Sequence, residues 1–229
     1  MPGRSTSGGA LAQGTYLRGF HDLMRWRVEN ILLVSSLYDS FILAGDGQLN
    51  ELILSEFLDL KLRHTPGLIR VSSGDEALAL VKKHGDRYNL IITSMHVGDT
   101  DGPTLARKVK EAGIGTPVVL LAYDSRELQE FLKKQQSADL DRVFLWQGDV
   151  RILLAIVKYV EDRINVAHDT GEQGVQAIIV IEDNVRFYSS FLPIIYTEIM
   201  HHAQSLVPEG GNLAVSEPEP PALEADFID

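Results

Sequence analysis

The chain contains no cysteine and no long apolar run, and basic residues are fewer than acidic ones. Without cysteine, disulfides, thiolate catalysis, zinc fingers and iron–sulfur clusters are excluded. No apolar stretch reaches the roughly 18 residues that a membrane span needs. The N-terminal residues 1–14 also lack the apolar core of a signal peptide. We therefore expect a cytoplasmic protein with no membrane partner.

The charge balance argues against a nucleic-acid partner. The 229 residues include 21 Lys and Arg against 32 Asp and Glu, which gives a net charge of −11. Non-specific binding to nucleic acid needs clustered basic side chains that neutralise phosphates. The overall composition, 45% hydrophobic and 23% charged, is typical of a globular protein. It excludes global disorder, a collagen-like repeat and a membrane channel.

The middle of the chain alternates short apolar runs with helical patterns. The predicted strands are residues 31–34, 68–71, 90–93, 118–121, 143–145 and 177–181. None alternates with polar residues, which is typical of strands buried on both faces. Helical spacing lies between the strands, with Ser73 as a predicted N-cap and Leu105, Val109 and Ala112 on one face. This order predicts a parallel sheet with helices on both faces.

Two further helices are predicted outside these alternating units. A leading helix covers about residues 15–29, and a long helix runs from Val185 to about Val207. A linker is predicted at residues 170–174, before the sixth strand.

Residues 31–165 resemble the receiver domain of bacterial response regulators. The resemblance is carried by VSSGDEALAL at residues 71–80, the Asp101-Gly102 turn and PVVLL at residues 117–121. It implies an α/β, flavodoxin-like receiver fold, in which a five-stranded parallel sheet of order 2-1-3-4-5 has helices on both faces. The expected fold adds an extra C-terminal strand and a long helix, since residues 178–184, IIVIEDN, resemble the first strand of a second receiver.

A second resemblance covers about residues 15–213. Residues 30–40, 144–149, 181–186 and 188–193 are similar to the N-terminal region of phosphoenolpyruvate-synthase-like or pyruvate phosphate dikinase-like proteins. In that family, two receiver-like domains precede a portion that handles ATP and pyruvate. The resemblance implies that this chain carries no catalytic part.

These resemblances divide the chain into four expected regions. Residues 1–14 form a flexible N-terminus, residues 15–168 a receiver-like domain with its leading helix, and residues 169–207 the start of an incomplete second domain. Residues 208–229 form a flexible tail, which holds four of the nine prolines, six acidic residues and no basic one.

The receiver resemblance implies a site whose functional residues are all replaced. Receivers use two acids after the first strand to hold Mg²⁺, an acceptor Asp, a hydroxyl and a Lys. The matching positions here are Ser35 and Ser36 for the acids, Ser94 for the acceptor, Ala122 for the hydroxyl and Trp146 for the Lys. A serine alcohol cannot form an acyl phosphate, and hydroxyls do not replace the carboxylates that attract Mg²⁺. The resemblance therefore implies a pseudo-receiver with no catalytic residue and no cofactor.

Glu182 and Asp183 match the acid pair of a second receiver. They are a residual, weak candidate for Mg²⁺. The alternative interpretation is an acidic cluster that stabilises the N-terminus of the helix that follows.

Three hypotheses of function remain from the sequence. The first is a non-enzymatic signalling module that acts through a protein partner or through self-association, because the last helix has a broad apolar face that needs cover. The second is a truncated regulatory part of a phosphoenolpyruvate-synthase-like phosphotransferase, whose kinase activity would belong to a missing C-terminal portion. The third is a phosphorelay receiver that uses Glu182 and Asp183.

Overall fold

The computed structural model describes residues 24–44, 49–60, 62, 64–85, 87–134, 138–172 and 174–205. The predicted flexible regions, residues 1–14 and 208–229, lie outside this part of the chain. The strands are β1 (Asn30–Val34), β2 (Gly67–Val71), β3 (Leu90–Thr93), β4 (His96–Val97), β5 (Thr100–Asp101), β6 (Val118–Ala122) and β7 (Arg142–Leu145). The helices are α1 (Leu37–Ala44), α2 (Leu49–Asp59), α3 (Gly74–Lys83), α4 (Gly102–Glu111), α5 (Ser125–Lys133), α6 (Arg151–Gly171) and α7 (Val185–Ser205).

Five strands form one parallel sheet in the order β2-β1-β3-β6-β7, and β4 and β5 form a separate antiparallel hairpin. With the hairpin set aside, this is the expected 2-1-3-4-5 order, and it confirms the flavodoxin-like fold. In the middle of the sheet, Ile31 of β1 lies between Leu68 of β2 and Leu90 of β3.

The core is divided between the two faces of the sheet. Ile31 and Leu33 point into a cluster with α1, α2 and α6, whereas Leu32 and Val34 point into a cluster with α3, α4 and α5. Because both faces are covered, each face needs apolar side chains, and the strands show no polar alternation.

Local signals set most helix ends. The Glu76 N–H donates to Ser73 Oγ at 3.3 Å, which confirms Ser73 as the N-cap of α3. Ala112 was predicted on the buried face of the next helix, and this is wrong because α4 ends at Glu111 and Ala112 is exposed. The following Gly113 has φ of +71°, a conformation that terminates helices and favours glycine.

The predicted leading helix is wrong over residues 24–29, which are not helical, and residues 15–23 lie outside the described residues. Side chains from elsewhere bind the backbone of this segment instead. Asn165 accepts from the Trp26 N–H at 3.0 Å and donates to the Trp26 carbonyl at 2.7 Å. The Val28 N–H donates to Glu161 Oε1 at 3.0 Å. These tertiary bonds hold the segment against α6 and compete with the helical hydrogen bonds.

The predicted sixth strand, residues 177–181, is also wrong, because this segment pairs with no strand of the described structure. The sheet edge at β7 is already covered by α7. The Leu145 N–H donates to Ser189 Oγ at 2.9 Å, so a helix side chain takes the place of a neighbouring strand. Val185 packs against the core on one side of the sheet, and Tyr188 and Leu192 pack on the other.

The long C-terminal helix is present, as expected, over Val185–Ser205. The helix before it is longer than predicted. Thr170 and Gly171, which the sequence placed in a linker, are the last two residues of α6.

Removing the Ser189 hydroxyl tests this edge contact. Ser189→Ala leaves the buried Leu145 N–H without its acceptor, and we expect a loss of about 1–3 kcal/mol in the free energy of unfolding. Urea unfolding followed by circular dichroism measures the loss. The control is Ser190→Ala. The Ser190 hydroxyl forms an exposed hydrogen bond with Gln147, and water can take the place of this bond. We therefore expect the free energy of unfolding to change by about 0.5 kcal/mol or less. Equal losses in the two variants would contradict the assignment.

Candidate functional site

The five positions that the resemblance singled out lie at the carboxyl edge of the sheet, where loops follow parallel strands. Ser35 follows β1, Ser94 follows β3, Ala122 ends β6 and Trp146 follows β7. Three backbone hydrogen bonds join neighbouring ends, from the N–H groups of Ser35, Ser94 and Trp146 to the carbonyls of Val71, Val34 and Ala122, at 3.1, 2.9 and 2.8 Å.

Ser36 has a structural task at this edge. Its Oγ accepts from the Asp39 N–H at 3.0 Å and so caps the first turn of α1. A capping side chain is directed to the helix backbone.

Ser94 is the most enclosed of these side chains. Only 1% of its surface is exposed, and among the described residues its Oγ has no hydrogen-bond partner. The Ser94 backbone is also closely packed against Gly102. A Cβ added to Gly102 would lie 2.5 Å from the Ser94 carbonyl oxygen. Only glycine fits there, so the Asp101-Gly102 turn of the sequence marks the contact between α4 and the edge.

Aromatic rings cover this edge on the side of α1 and α6. Tyr123 and Trp146 pack with ring centroids 6.4 Å apart, against the core cluster of that face. Burial, and next the charge of Asp39, raise the pKa of the Tyr123 phenol far above its ordinary value, and the nearby Ser94 hydroxyl offsets this only in part. The two hydroxyls do not meet hydrogen-bond geometry with each other, and the Tyr123 hydroxyl has no other partner among the described residues. Tyr123 therefore stays neutral, and the position that the resemblance matched to a lysine is occupied by the uncharged Trp146.

Two carboxylates that the sequence analysis did not assign to the site lie near this edge, and both are engaged at the N-termini of helices. Asp101 accepts from the Thr104 N–H at 2.7 Å and caps α4. Asp149 binds Arg151 at 2.7 Å, at the start of α6. Within the described residues, no group of three or more His, Asp or Glu side chains is placed to hold a metal ion. In the sequence, these carboxylates are marked by the Asp101-Gly102 pair and by the spacing of Asp149 and Arg151. Both patterns indicate the start of a helix.

Asp99, in the turn between β4 and β5, is the most engaged of these carboxylates. It accepts from the N–H groups of Gly74 at 2.6 Å and Asp75 at 3.0 Å, and from the Ser73 hydroxyl at 3.0 Å. These hydrogen bonds, with the one from Gly74 first, lower its pKa from 3.8 to about 2. The hairpin thus ties the N-terminus of α3 to the loop that follows Ser94.

Glu182 and Asp183 lie elsewhere in the fold. They line a groove of about 280 Å³ beside Arg142 and Val143, at the amino end of β7, the opposite end of the strand from Trp146. Glu182 accepts from the Asn184 N–H at 2.8 Å, just before α7 begins. The structure therefore does not bring this acid pair together with the serines.

Solved structures that are similar to this chain include response regulator receiver domains. No protein-family model and no curated protein matches the chain. Among solved structures, it is similar to a CheY-like response regulator receiver domain from Methylobacillus flagellatus, at 16% identity over 58% of this chain and 98% of that one, with a TM-score of 0.43.

Two further neighbours are of the same kind. The receiver domain of an HD domain-containing protein from Pseudomonas fluorescens Pf-5 is 24% identical over 62% of this chain and 97% of that one, with a TM-score of 0.40. A Francisella response regulator receiver domain is 18% identical over 59% of this chain and 98% of that one, with a TM-score of 0.41. Separately, none of the described helices is long and apolar enough to cross a membrane.

Replacing Tyr123 by Phe tests the enclosed edge. Because the buried hydroxyl has no partner, Tyr123→Phe should leave the free energy of unfolding unchanged or raise it by up to about 1 kcal/mol. The matched control is Tyr196→Phe, which removes a hydrogen bond of 2.8 Å to Asp162 and should cost about 1 kcal/mol. Chemical denaturation of both variants decides, and a loss at Tyr123 as large as that at Tyr196 would contradict the description.

The low pKa of Asp99 predicts a pH dependence of stability. Its contribution is present above the unfolded pKa of 3.8 and is lost as the pH falls towards the folded value of about 2. We expect Asp99→Asn to be less stable at neutral pH and to lose stability less steeply between pH 5 and pH 2. Urea midpoints measured across this range for both proteins provide the test. Parallel curves would show that Asp99 is not engaged in this way.

Proposed function

We propose that the chain is a receiver-type signalling module that does not accept a phosphoryl group and acts by binding another protein. The observation that carries the proposal is the chemistry of the sheet edge. Hydroxyl, methyl and indole groups of Ser35, Ser94, Ala122 and Trp146 stand there in place of a carboxylate acceptor and a lysine. Of the nearby carboxylates in the described structure, Asp101 caps α4, Asp149 pairs with Arg151, and Asp39 belongs to the first turn of α1.

Phosphoryl transfer makes demands that this edge does not meet. The attacking oxygen must reach the phosphorus in line, with cations to neutralise the charge. Ser94 Oγ is buried, the neutral Tyr123 side chain lies close to it, and the Trp146 ring packs against Tyr123. In the proposed module, the carboxyl edge of the sheet therefore keeps one conformation and does not switch on phosphorylation.

An exposed apolar surface next to this edge supports the binding role. Leu37, Tyr38 and Phe41 of α1 are 73%, 72% and 66% exposed, and α1 begins directly after Ser36. Clustered apolar side chains of this size on a surface mark a site for a protein partner. On this proposal the partner meets α1 through apolar contacts, in the cytoplasm.

Incubation with acetyl phosphate and Mg²⁺, followed by intact mass spectrometry, tests the proposal. We expect no mass increase of one phosphoryl group, whereas a phosphorylatable receiver domain treated in parallel should gain one. Incorporation that maps to Ser94 would overturn the proposal. Incorporation that Asp183→Asn abolishes would favour the phosphorelay hypothesis instead.

Calorimetry tests whether an ATP-dependent activity resides in this chain itself. A titration with Mg-ATP should give no binding heat if the chain is a binding module. Saturable heat would contradict the proposal, because it would show an ATP site within this chain.

A further inference from the structure

The segment that joins α6 to α7 is apolar and exposed. Residues 175–181 read VQAIIVI, and the side chains of Ile178, Ile179 and Ile181 are 71%, 82% and 92% exposed. Consecutive exposed β-branched residues show that the described part of the chain covers neither side of the segment. Sequences of this kind have the propensity to pair as strands.

The backbone of the segment is free to pair. Within the described part of the chain, no N–H or carbonyl of residues 176–183 forms a backbone hydrogen bond. The chain's own sheet does not accept it, since Ser189 of α7 caps the β7 edge. The segment therefore has the composition of a buried strand and no strand beside it.

An apolar groove of about 260 Å³ lies between the segment and α7. Val180 and Ile181 form one wall, and Phe191 and Ile194 of the helix are on the other. Phe187 and Phe191 stack at 6.1 Å on the same helix and are both exposed. An incoming strand would cover the segment and place its side chains in this groove.

We propose that the segment pairs with the same segment of a second copy of this chain, as two antiparallel strands centred on Ile178. This alignment pairs all of residues 175–181, which carry no charge, with one another. Glu182 then lies opposite Gly174 rather than opposite another acid. Parallel pairing in register would set Glu182 on Glu182 and Asp183 on Asp183, and like charges opposite each other destabilise a sheet.

The acidic tail of the chain is a poorer occupant. Residues 208–229 contain four prolines, which cannot donate to a ladder, and six acidic side chains that Glu182 and Asp183 would repel. The proposed pairing does not depend on the proposed function, because neither the segment nor α7 includes any of the five positions at the carboxyl edge of the sheet.

Sedimentation velocity over a range of concentrations tests the pairing. We expect the full chain to be a dimer, and Ile178→Lys, which sets two lysines opposite each other, to weaken dimerisation at least about tenfold. Because Ile178 is exposed, the fold should survive, which a circular dichroism melt verifies. Leu58→Lys, at an exposed position of α2, is the control and should leave the dimer intact. A monomeric wild-type chain, or a dimer that Ile178→Lys does not weaken, would overturn the proposal.

Cysteine cross-linking tests the alignment, and the absence of native cysteine makes it unambiguous. Ile178→Cys places two thiols directly opposite, within reach of a disulfide, so oxidation should give a covalent dimer. Gln176→Cys places its thiols four residues out of line, about 13 Å apart, and should not cross-link. Equal cross-linking of the two variants would show parallel pairing and overturn the proposed arrangement.

Discussion

The cover of the β7 edge by α7 is the constraint on which much of the remaining structure depends. A parallel sheet buried on both faces still exposes N–H and carbonyl groups at its edge strands. Here a single hydroxyl, that of Ser189, accepts the Leu145 N–H, and the helix that carries it packs apolar side chains on both sides of the sheet. A helix far along the chain thereby becomes part of this domain.

A second set of long-range contacts also pairs exposed backbone groups with side chains. Here polar side chains of α6 bind the backbone of residues that precede β1. Lys158 and Glu161 form a buried ion pair at 2.7 Å, and Glu161 also accepts the Val28 N–H. A buried charge needs both a partner and further hydrogen bonds, and this pair has them. Asn165, one turn further along, binds Trp26. Together they fix residues 24–29 as a strap that leads directly into β1.

Sequence reasoning performed well where local signals decide the structure. Apolar runs located all five strands of the main sheet, and Ser73 was identified as a cap because its hydrogen bond lies within its own helix turn. It failed where distant contacts decide. Helical spacing at residues 24–29 could not show that Asn165 binds Trp26, and the strand propensity of residues 177–181 could not show that Ser189 occupies the edge. The edge serines were located by resemblance, but the burial of Ser94 was visible only in the fold.

The position of α7 also explains why residues 175–181 lack a strand partner in the described part of the chain. Once the helix caps β7, the segment must run outside the sheet to connect Gly171 to Val185. Burying its isoleucines then requires another surface, and hydrogen-bonding its backbone to protein requires another strand. A second copy supplies both the apolar surface and the pairing strand, without setting acidic side chains opposite each other. The Pro-rich tail supplies neither the surface nor the strand. The contact that completes the β7 edge thus leaves an exposed apolar segment with strand propensity outside the sheet, and association between copies is the outcome that burial of that segment favours.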